Sequence, residues 1–311
     1  MSKLEFRTDF DPHHGEAVEL VAGVRRITAP NSGPFTQHGT NTYIVGEEEV
    51  AVIDPGPEDG SPHYDAILRA LKGRTVSHIV VTHTHVDHSP LARQLSRETG
   101  APIYAEGPHR PARDLHLGEL NVLDASGDKD FEPDVRLSHG DMINGKGFTL
   151  EAVFTPGHTA NHMAFALTGT PYLFSGDHVM GWATSIVAPP DGSMADYMQS
   201  LETLLQRDET IYFPGHGGRL EKAREFVRGL RTHRRMRETA ILQRLKAGDR
   251  VIPEIVRAIY RDTDPRLHGA AGLSVFAHLE DLVQAGKVLT QGAPSLDGEY
   301  TPADLPERDA E

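Results

Sequence analysis

The chain has 311 residues and not one cysteine. That excludes a disulfide framework and any thiolate metal ligand. Long hydrophobic runs are missing too: nothing approaches the roughly 18–20 consecutive apolar residues that a membrane span requires. Positive charge is scarce. Lys+Arg number 31 against 45 Asp+Glu, a formal net charge of −14, which argues against strong non-specific nucleic-acid binding over the whole surface. The N-terminal stretch from Met1 to Glu19 carries Asp9, Asp11, Glu16 and Glu19 and no apolar segment, so it reads as neither a signal peptide nor a transit peptide. A cytoplasmic location is the expectation. Tryptophan is reduced to a single residue, Trp182.

What is present is enough apolar material for a packed core, 38% of residues, in a length that suits one large domain plus a small one. Histidine is abundant, with 18 copies, and it is concentrated. The run Thr82-His83-Thr84-His85-Val86-Asp87-His88 follows the β-branched stretch Ile79-Val80-Val81, which reads as a short buried strand. The cluster therefore sits on the loop where that strand ends. His83 and His85 alternate with small residues and can turn two imidazoles toward one point. Asp87 and His88 come where the chain must turn and can face a second. Imidazoles and a carboxylate suit zinc, and iron or manganese less exclusively. One cluster cannot close two sites, so further ligands are sought, and His158, Asp177 and His216 each follow a short apolar strand and a turn residue.

The rest of the chain supplies the scaffold for those loops. Strands are expected at Val50–Ile53, Pro102–Ala105, Phe148–Phe154, Met163–Leu167, Pro171–Phe174 and Thr210–Phe213, and helices at Tyr64–Leu71, Leu91–Thr99 and Ala195–Leu205. The segment from Glu106 to Lys129 is loop-rich. Beyond Gly217 the composition shifts to charged, helix-favouring sequence: Leu220–Ala247, then Val251–Tyr260, then Leu273–Ala285 with Gly286 as a C-cap. Lys287–Thr290 reads as a strand entering a wing, so this region is similar to a winged helix. The expected division is 1–220 for the catalytic unit, 221–295 for linker helix and winged helix, and 296–311 for a polar tail.

The four ligand segments, in this order, resemble the metallo-β-lactamase superfamily. That resemblance implies a four-layer αββα sandwich of the α/β class. It also assigns ligands: His83, His85 and His158 to a first metal, Asp87, His88 and His216 to a second, with Asp177 bridging. The implied cofactors are two zinc ions, with the second position open to another divalent metal. The implied reaction is hydrolysis by a bridging hydroxide, with Asp87 and Asp177 as catalytic residues. Gly39-Thr40-Asn41-Thr42-Tyr43, Asp196–Leu201 and the terminal winged helix together narrow the resemblance to the β-lactamase-like protein 2 branch, which includes an endoribonuclease acting on single-stranded RNA.

Substrate is the open question, because these ligands are common to thioesters, esters, lactams and phosphodiesters. A small-molecule ester or thioester is the first expectation. Single-stranded RNA cleavage is the main alternative, and weak β-lactamase or mono-iron dioxygenase activity are further ones. A bridging aspartate lowers the lactamase reading, since true β-lactamases commonly have another residue there. Glyoxalase II shares the ligands but ends in a helical glutathione-binding domain, and diiron flavoproteins replace the second histidine of the cluster with glutamate. Arg224, Arg228, Arg231, His233, Arg234, Arg235 and Arg237 fall on one expected helix, with a solvated face as the favoured reading. The expected recognition helix holds Glu280 and Asp281 and neither Lys nor Arg, which disfavours DNA reading. Trp182 is a candidate to line the substrate cleft or to pack against Met180. His162 is a candidate to orient a ligand from behind it, and His178 should point away from the metals.

Overall fold

A computed structural model describes residues 4–303 apart from 61, 117, 118, 120, 122, 123 and 262. Seven strands, β1 (Val18–Val21), β2 (Val24–Thr28), β3 (Asn41–Gly46), β4 (Glu49–Ile53), β5 (Thr75–Val80), β6 (Ile103–Ala105) and β7 (Val135–Arg136), lie side by side in chain order. The first four are antiparallel neighbours and the last three join in parallel. A second sheet contains β8 (Met142–Gly145), β9 (Phe148–Phe154), β10 (Met163–Leu167), β11 (Tyr172–Gly176), β12 (Ile211–Pro214) and β13 (Leu220–Glu221), in the order 13-12-11-10-9-8.

Alternation along the strands makes the layers. In β3, Tyr43 and Val45 face the second sheet while Ile44 faces outward, because successive side chains point to opposite faces. In β10, Met163 and Phe165 meet the first sheet and Ala164 and Ala166 turn the other way. The inter-sheet core includes Tyr43, Ile53, Val80, Leu150, Phe165, Phe174 and Phe213. Outside the first sheet, α1 (His63–Leu71) and α2 (Leu91–Thr99) cover Ile44, Val52 and Ile79 with Ile67, Ala92 and Leu95. Outside the second, α3 (Met194–Leu205) and α4 (Ala223–Lys246) cover Leu173 and Tyr212 with Tyr197, Leu201, Val227 and Leu230. The result is the expected αββα sandwich.

The C-terminal unit is built from the far end of α4, from α5 (Ile252–Ile259) and α6 (His268–Gln284), and from a small antiparallel pair, β14 (Val288–Thr290) and β15 (Tyr300–Pro302). Its core holds Ile241, Leu245, Ile255, Val275, Phe276, Leu279, Val288 and Tyr300. α4 thus contributes to two cores, with Val227 and Leu230 in one and Ile241 and Leu245 in the other. Three details differ from the sequence reading. Leu220–Glu221 pairs with β12 as an edge strand rather than opening the long helix. α6 starts at His268, five residues before the expected Leu273. The tail placed at 296–311 contains β15, because Tyr300 is fully buried against the winged-helix core; one apolar anchor amid polar neighbours hides that strand in the sequence. Among the described residues, no helix is long and apolar enough to cross a membrane.

Candidate metal centre

The loops at one end of the two sheets converge, as strand ends in layered α/β folds usually do around a site. β5 ends at Val80 and delivers His83, His85, Asp87 and His88; β9 leads to His158, β11 to Asp177 and β12 to His216. His83, His85 and His158 form one group of mutually close ligand atoms, and Asp87, His88 and His216 form another. His85 Nδ1 lies 3.0 Å from His83 Nε2 and 3.1 Å from His158 Nε2. A tetrahedral zinc with ~2.0–2.1 Å bonds needs roughly 3.3–3.4 Å between its nitrogens, so small shifts suffice. In the second group His216 Nε2 and His88 Nε2 each lie 3.3 Å from Asp87 Oδ2. Asp177 stands between the groups, 3.2 Å from His216, 3.6 Å from His88 and 3.7 Å from His158.

Four of the ligand imidazoles, those of His83, His88, His158 and His216, are aimed by a partner behind them, which fixes where the lone pair points. His158 Nδ1–H donates to the Ile186 carbonyl at 2.6 Å and His216 Nδ1–H to the Gly39 carbonyl at 3.1 Å. His88 Nδ1–H donates to Asp54 Oδ2 at 2.9 Å. The same carboxylate accepts the Thr82 hydroxyl and backbone N–H, both at 2.7 Å. With its hydroxyl proton committed to Asp54, Thr82 Oγ1 accepts from His83 Nδ1–H at 3.0 Å. His88 Nε2 and Asp177 Oδ1 are left buried without a hydrogen-bond partner. Unpaired polar atoms of this kind are costly, and nitrogen and carboxylate donors facing one point fit a divalent cation.

The electrostatics of the two groups differ. Burial is the main influence on the first and holds His83, His85 and His158 below the usual imidazole value, His85 at about 3. In the second, burial again opposes the charge, but Asp87 and Asp177 outweigh it; His88 is lifted well above the ordinary value and His216 to about 10. Burial also opposes ionisation of Asp87 and Asp177, yet His88 and His216 keep both below the usual carboxylate range.

The loop entering β3 wires the second group almost residue by residue. Gly39 supplies the acceptor for His216, and the Thr40 hydroxyl donates to Asp87 Oδ2 at 2.9 Å. Asn41 Nδ2–H donates to the carbonyls of Pro214 and Gly217, which flank His216. Thr42 Oγ1 donates to the Asp54 carbonyl, and Tyr43 Oη to that of Pro214. Gly215 has no room for a side chain, since a Cβ there would lie 2.2 Å from Asp177 Oδ1.

The structure places His162 behind the site, accepting the Asp177 backbone N–H at Nε2 and donating from Nδ1 to Thr155 Oγ1 at 2.9 Å. His178 turns its ring onto Tyr197, 4.5 Å between centroids, and lies outside the convergent groups. Trp182 is half-buried against Gly217, next to His216. His63 opens α1 and is buried on Thr42, and His109 lies close to Thr84 and Asp191. Asp54 is absent from the sequence-derived list. Its signal was there: a carboxylate ending an apolar strand, before Pro-Gly, beside the strand that delivers His83.

The arginine-rich face of α4 is largely committed. Arg231 and Arg235 both bond Glu202, Arg224 donates to the Leu205 carbonyl, and Arg237 lies over the Tyr260 ring. Arg234 departs from the solvated-face expectation outright, being 3% exposed. α6 faces the sandwich rather than open solvent: Glu280 is held by Arg113 of the 106–129 segment, which also pairs with Glu119.

Residues 35–216 match the model of the metallo-beta-lactamase superfamily, and residues 251–295 that of the beta-lactamase associated winged helix domain. A beta-lactamase-like protein 2 homolog of Caenorhabditis elegans is 30% identical over 88% of this chain and 89% of its own length. An atrochrysone carboxyl ACP thioesterase of Aspergillus terreus is 29% identical over 83% of this chain and 78% of its own. The crystal structure of a beta-lactamase domain protein from Burkholderia ambifaria superposes with a TM-score of 0.78 at 23% identity, covering 95% of this chain and 96% of that one, a likeness of fold. With its ligand loops, its sandwich and its appended winged helix, this chain belongs to the metallo-β-lactamase superfamily of hydrolases and resembles its β-lactamase-like protein 2 branch.

Proposed function

We propose that the protein is a dinuclear metal hydrolase, with zinc as the metal, that cleaves ester or thioester bonds of a small-molecule substrate. The observation that carries the reading is the pair of buried, unpartnered atoms His88 Nε2 and Asp177 Oδ1 facing the two ligand groups. His83, His85 and His158 would hold one cation, Asp87, His88 and His216 the other, and Asp177 both. When bound, such a pair supplies Lewis-acid polarisation of the electrophile and a water acidified for attack.

The chain's own groups prepare that chemistry. Asp54, the Gly39 and Ile186 carbonyls, and Thr82 hold the outer imidazole nitrogens protonated, so that the inner nitrogens present lone pairs. Thr40 donates to Asp87 Oδ2 and so restrains the carboxylate's rotation. His162 anchors the backbone of Asp177. For the bond cleaved, support comes from the thioesterase similar over most of both chains, and from an α4 arginine face engaged with Glu202 and with its own fold.

The test is a turnover screen of the zinc-loaded protein against acyl thioesters, aryl esters, a β-lactam and single-stranded RNA, side by side. Thioester or ester hydrolysis should lead. Efficient RNA cleavage with slow ester turnover reverses the substrate assignment, and no hydrolysis of any of them rejects it.

A further inference from the structure

Arg234 sits where a charge is expensive. It is 3% exposed, and its hydrogen bonds run to two uncharged oxygens: Nη2–H donates to the Ser185 carbonyl and Nη1–H to Ser274 Oγ at 3.1 Å. Its Nε has no partner, and the guanidinium lies over the Tyr197 ring, 5.0 Å from the centroid. Burying a charge without an opposite charge beside it costs several kcal/mol in order of magnitude. An apolar side chain would fill that space without the penalty, so stability alone is a poor account of this arginine.

Its contacts lead to the metal centre. Ser185 precedes Ile186, whose carbonyl takes the His158 Nδ1–H. The Ser185 hydroxyl donates to the His178 carbonyl at 2.8 Å, and Tyr197 Oη donates to the same oxygen at 3.0 Å. Tyr197 also packs against the residue before His158: a Cβ on Gly157 would lie 2.4 Å from Tyr197 Cα. The guanidinium therefore grips the segment carrying the His158 acceptor and covers the ring that backs Gly157. Its remaining bond goes to Ser274 on α6, in the winged helix.

We infer that Arg234 is a positioning residue through which the winged-helix unit sets the orientation of His158 and hence the affinity of the first metal group. Only an arginine has the planar fork that spans a carbonyl on one element and a hydroxyl on another; lysine keeps the charge but not the span. The inference rests on reading His158 as a metal ligand, so its test must separate the two.

Metal-free full-length protein is titrated with cobalt(II), following its visible absorption, in wild type, Arg234→Lys, Ser274→Ala and Arg231→Met, with thermal unfolding recorded in parallel. Arg234→Lys should weaken the tighter cobalt site by roughly tenfold or more, the scale for losing an outer partner of a metal ligand, and alter its absorption. In the zinc-loaded enzyme kcat should fall while KM stays level. Ser274→Ala should move affinity the same way by less, and Arg231→Met, which alters only the Glu202 contact, should match wild type. If Arg234→Lys does not fold, Ser274→Ala carries the test alone, and unchanged cobalt affinity there overturns the inference. It is also overturned if Arg234→Lys loses thermal stability but keeps wild-type affinity and spectrum, which is the signature of a packing role. Failure of the wild type to bind cobalt rejects the metal centre itself.

Discussion

The two ligand groups share a loop, yet they are braced from opposite sides of the molecule. Asp87, His88 and His216 lean on Asp54, Gly39 and Thr40, at the ends of β2–β4 in the first sheet. His158 leans on Ile186, in a segment gripped by Arg234 of α4 and, beyond it, by α6. The second group is therefore secured within the sandwich, whereas the first is split: His83 leans on Asp54 through Thr82, and His158 on a segment tied to the C-terminal unit. On the proposed reading the sandwich alone would fix the second metal position, whereas the first would be coupled through His158 to the C-terminal unit.

The largest effect expected on this comparison comes from removing ligands of the sandwich-braced half. Asp87→Ala and His88→Ala should abolish turnover, while circular dichroism and size exclusion stay native, because neither side chain belongs to the hydrophobic cores. Elemental analysis should find close to two zinc equivalents in wild type and a deficit in both variants. Near wild-type activity in both would point to a single-metal mechanism and revive the dioxygenase alternative.

Asp54→Ala should come next. It leaves His88 Nδ1 and the Thr82 hydroxyl without an acceptor, and the loss of such a partner weakens metal binding by roughly 10–100-fold. Chelator competition should show the larger loss in the second position and a smaller one in the first, which feels Asp54 only through Thr82 and His83. Equal weakening of both positions would mean that the halves are not separately braced.

A pH effect involves the C-terminal unit as well as the sandwich, and a variant isolates its share. Burial is the main cause that lowers His278 to about 3 and His233 to about 4, with Arg234 and Arg237 adding to it. Both are depressed in the folded state, so the stability they carry is complete above the unfolded value of ~6.5 and is lost as pH falls toward 4, on the order of 2–3 kcal/mol for each. Thermal scans of the zinc-free protein should show the midpoint dropping over that window, and less so in His278→Phe. A flat profile, or an equal drop in the variant, would contradict this.

The smallest effect is expected from the outward face of α4. Arg231→Ala with Arg235→Ala removes only partly exposed pairs to Glu202, each worth about 0–1 kcal/mol, so ester turnover should be almost unchanged. Loss of a salt-sensitive RNA cleavage in that double variant would put RNA ahead of esters as substrate.

Much of this was legible because strands and ligands announce themselves. Phe148–Phe154 alternates and is bounded by Gly and Pro, so β9 is placed to the residue, and Leu91–Thr99 stops at Gly100, whose φ of 75° ends the helix. The histidine cluster marks its own loop. The supports were harder to see. Asp54 looks like a turn residue until β4 and β5 pair and bring it beneath Thr82 and His88, and nothing local marks Arg234 among seven basic residues from 224 to 237 as the buried one. Such roles depend on contacts between distant segments, such as Asn41 with Gly217, which periodicity does not encode.

The double membership of α4 has a practical consequence for dividing the protein. Its 24 residues span about 36 Å, long enough for Val227 and Leu230 to seal the second sheet while Ile241 and Leu245 nucleate the winged helix. A fragment ending near residue 220, a natural place to cut by composition, would uncover Leu173, Leu201 and Tyr212 together, an apolar surface of the kind that drives aggregation. A fragment starting near 251 would lack the wall against which Val275 and Phe276 pack. The helix serves two cores with no clean seam between them, and expression trials should keep it whole on whichever side is retained.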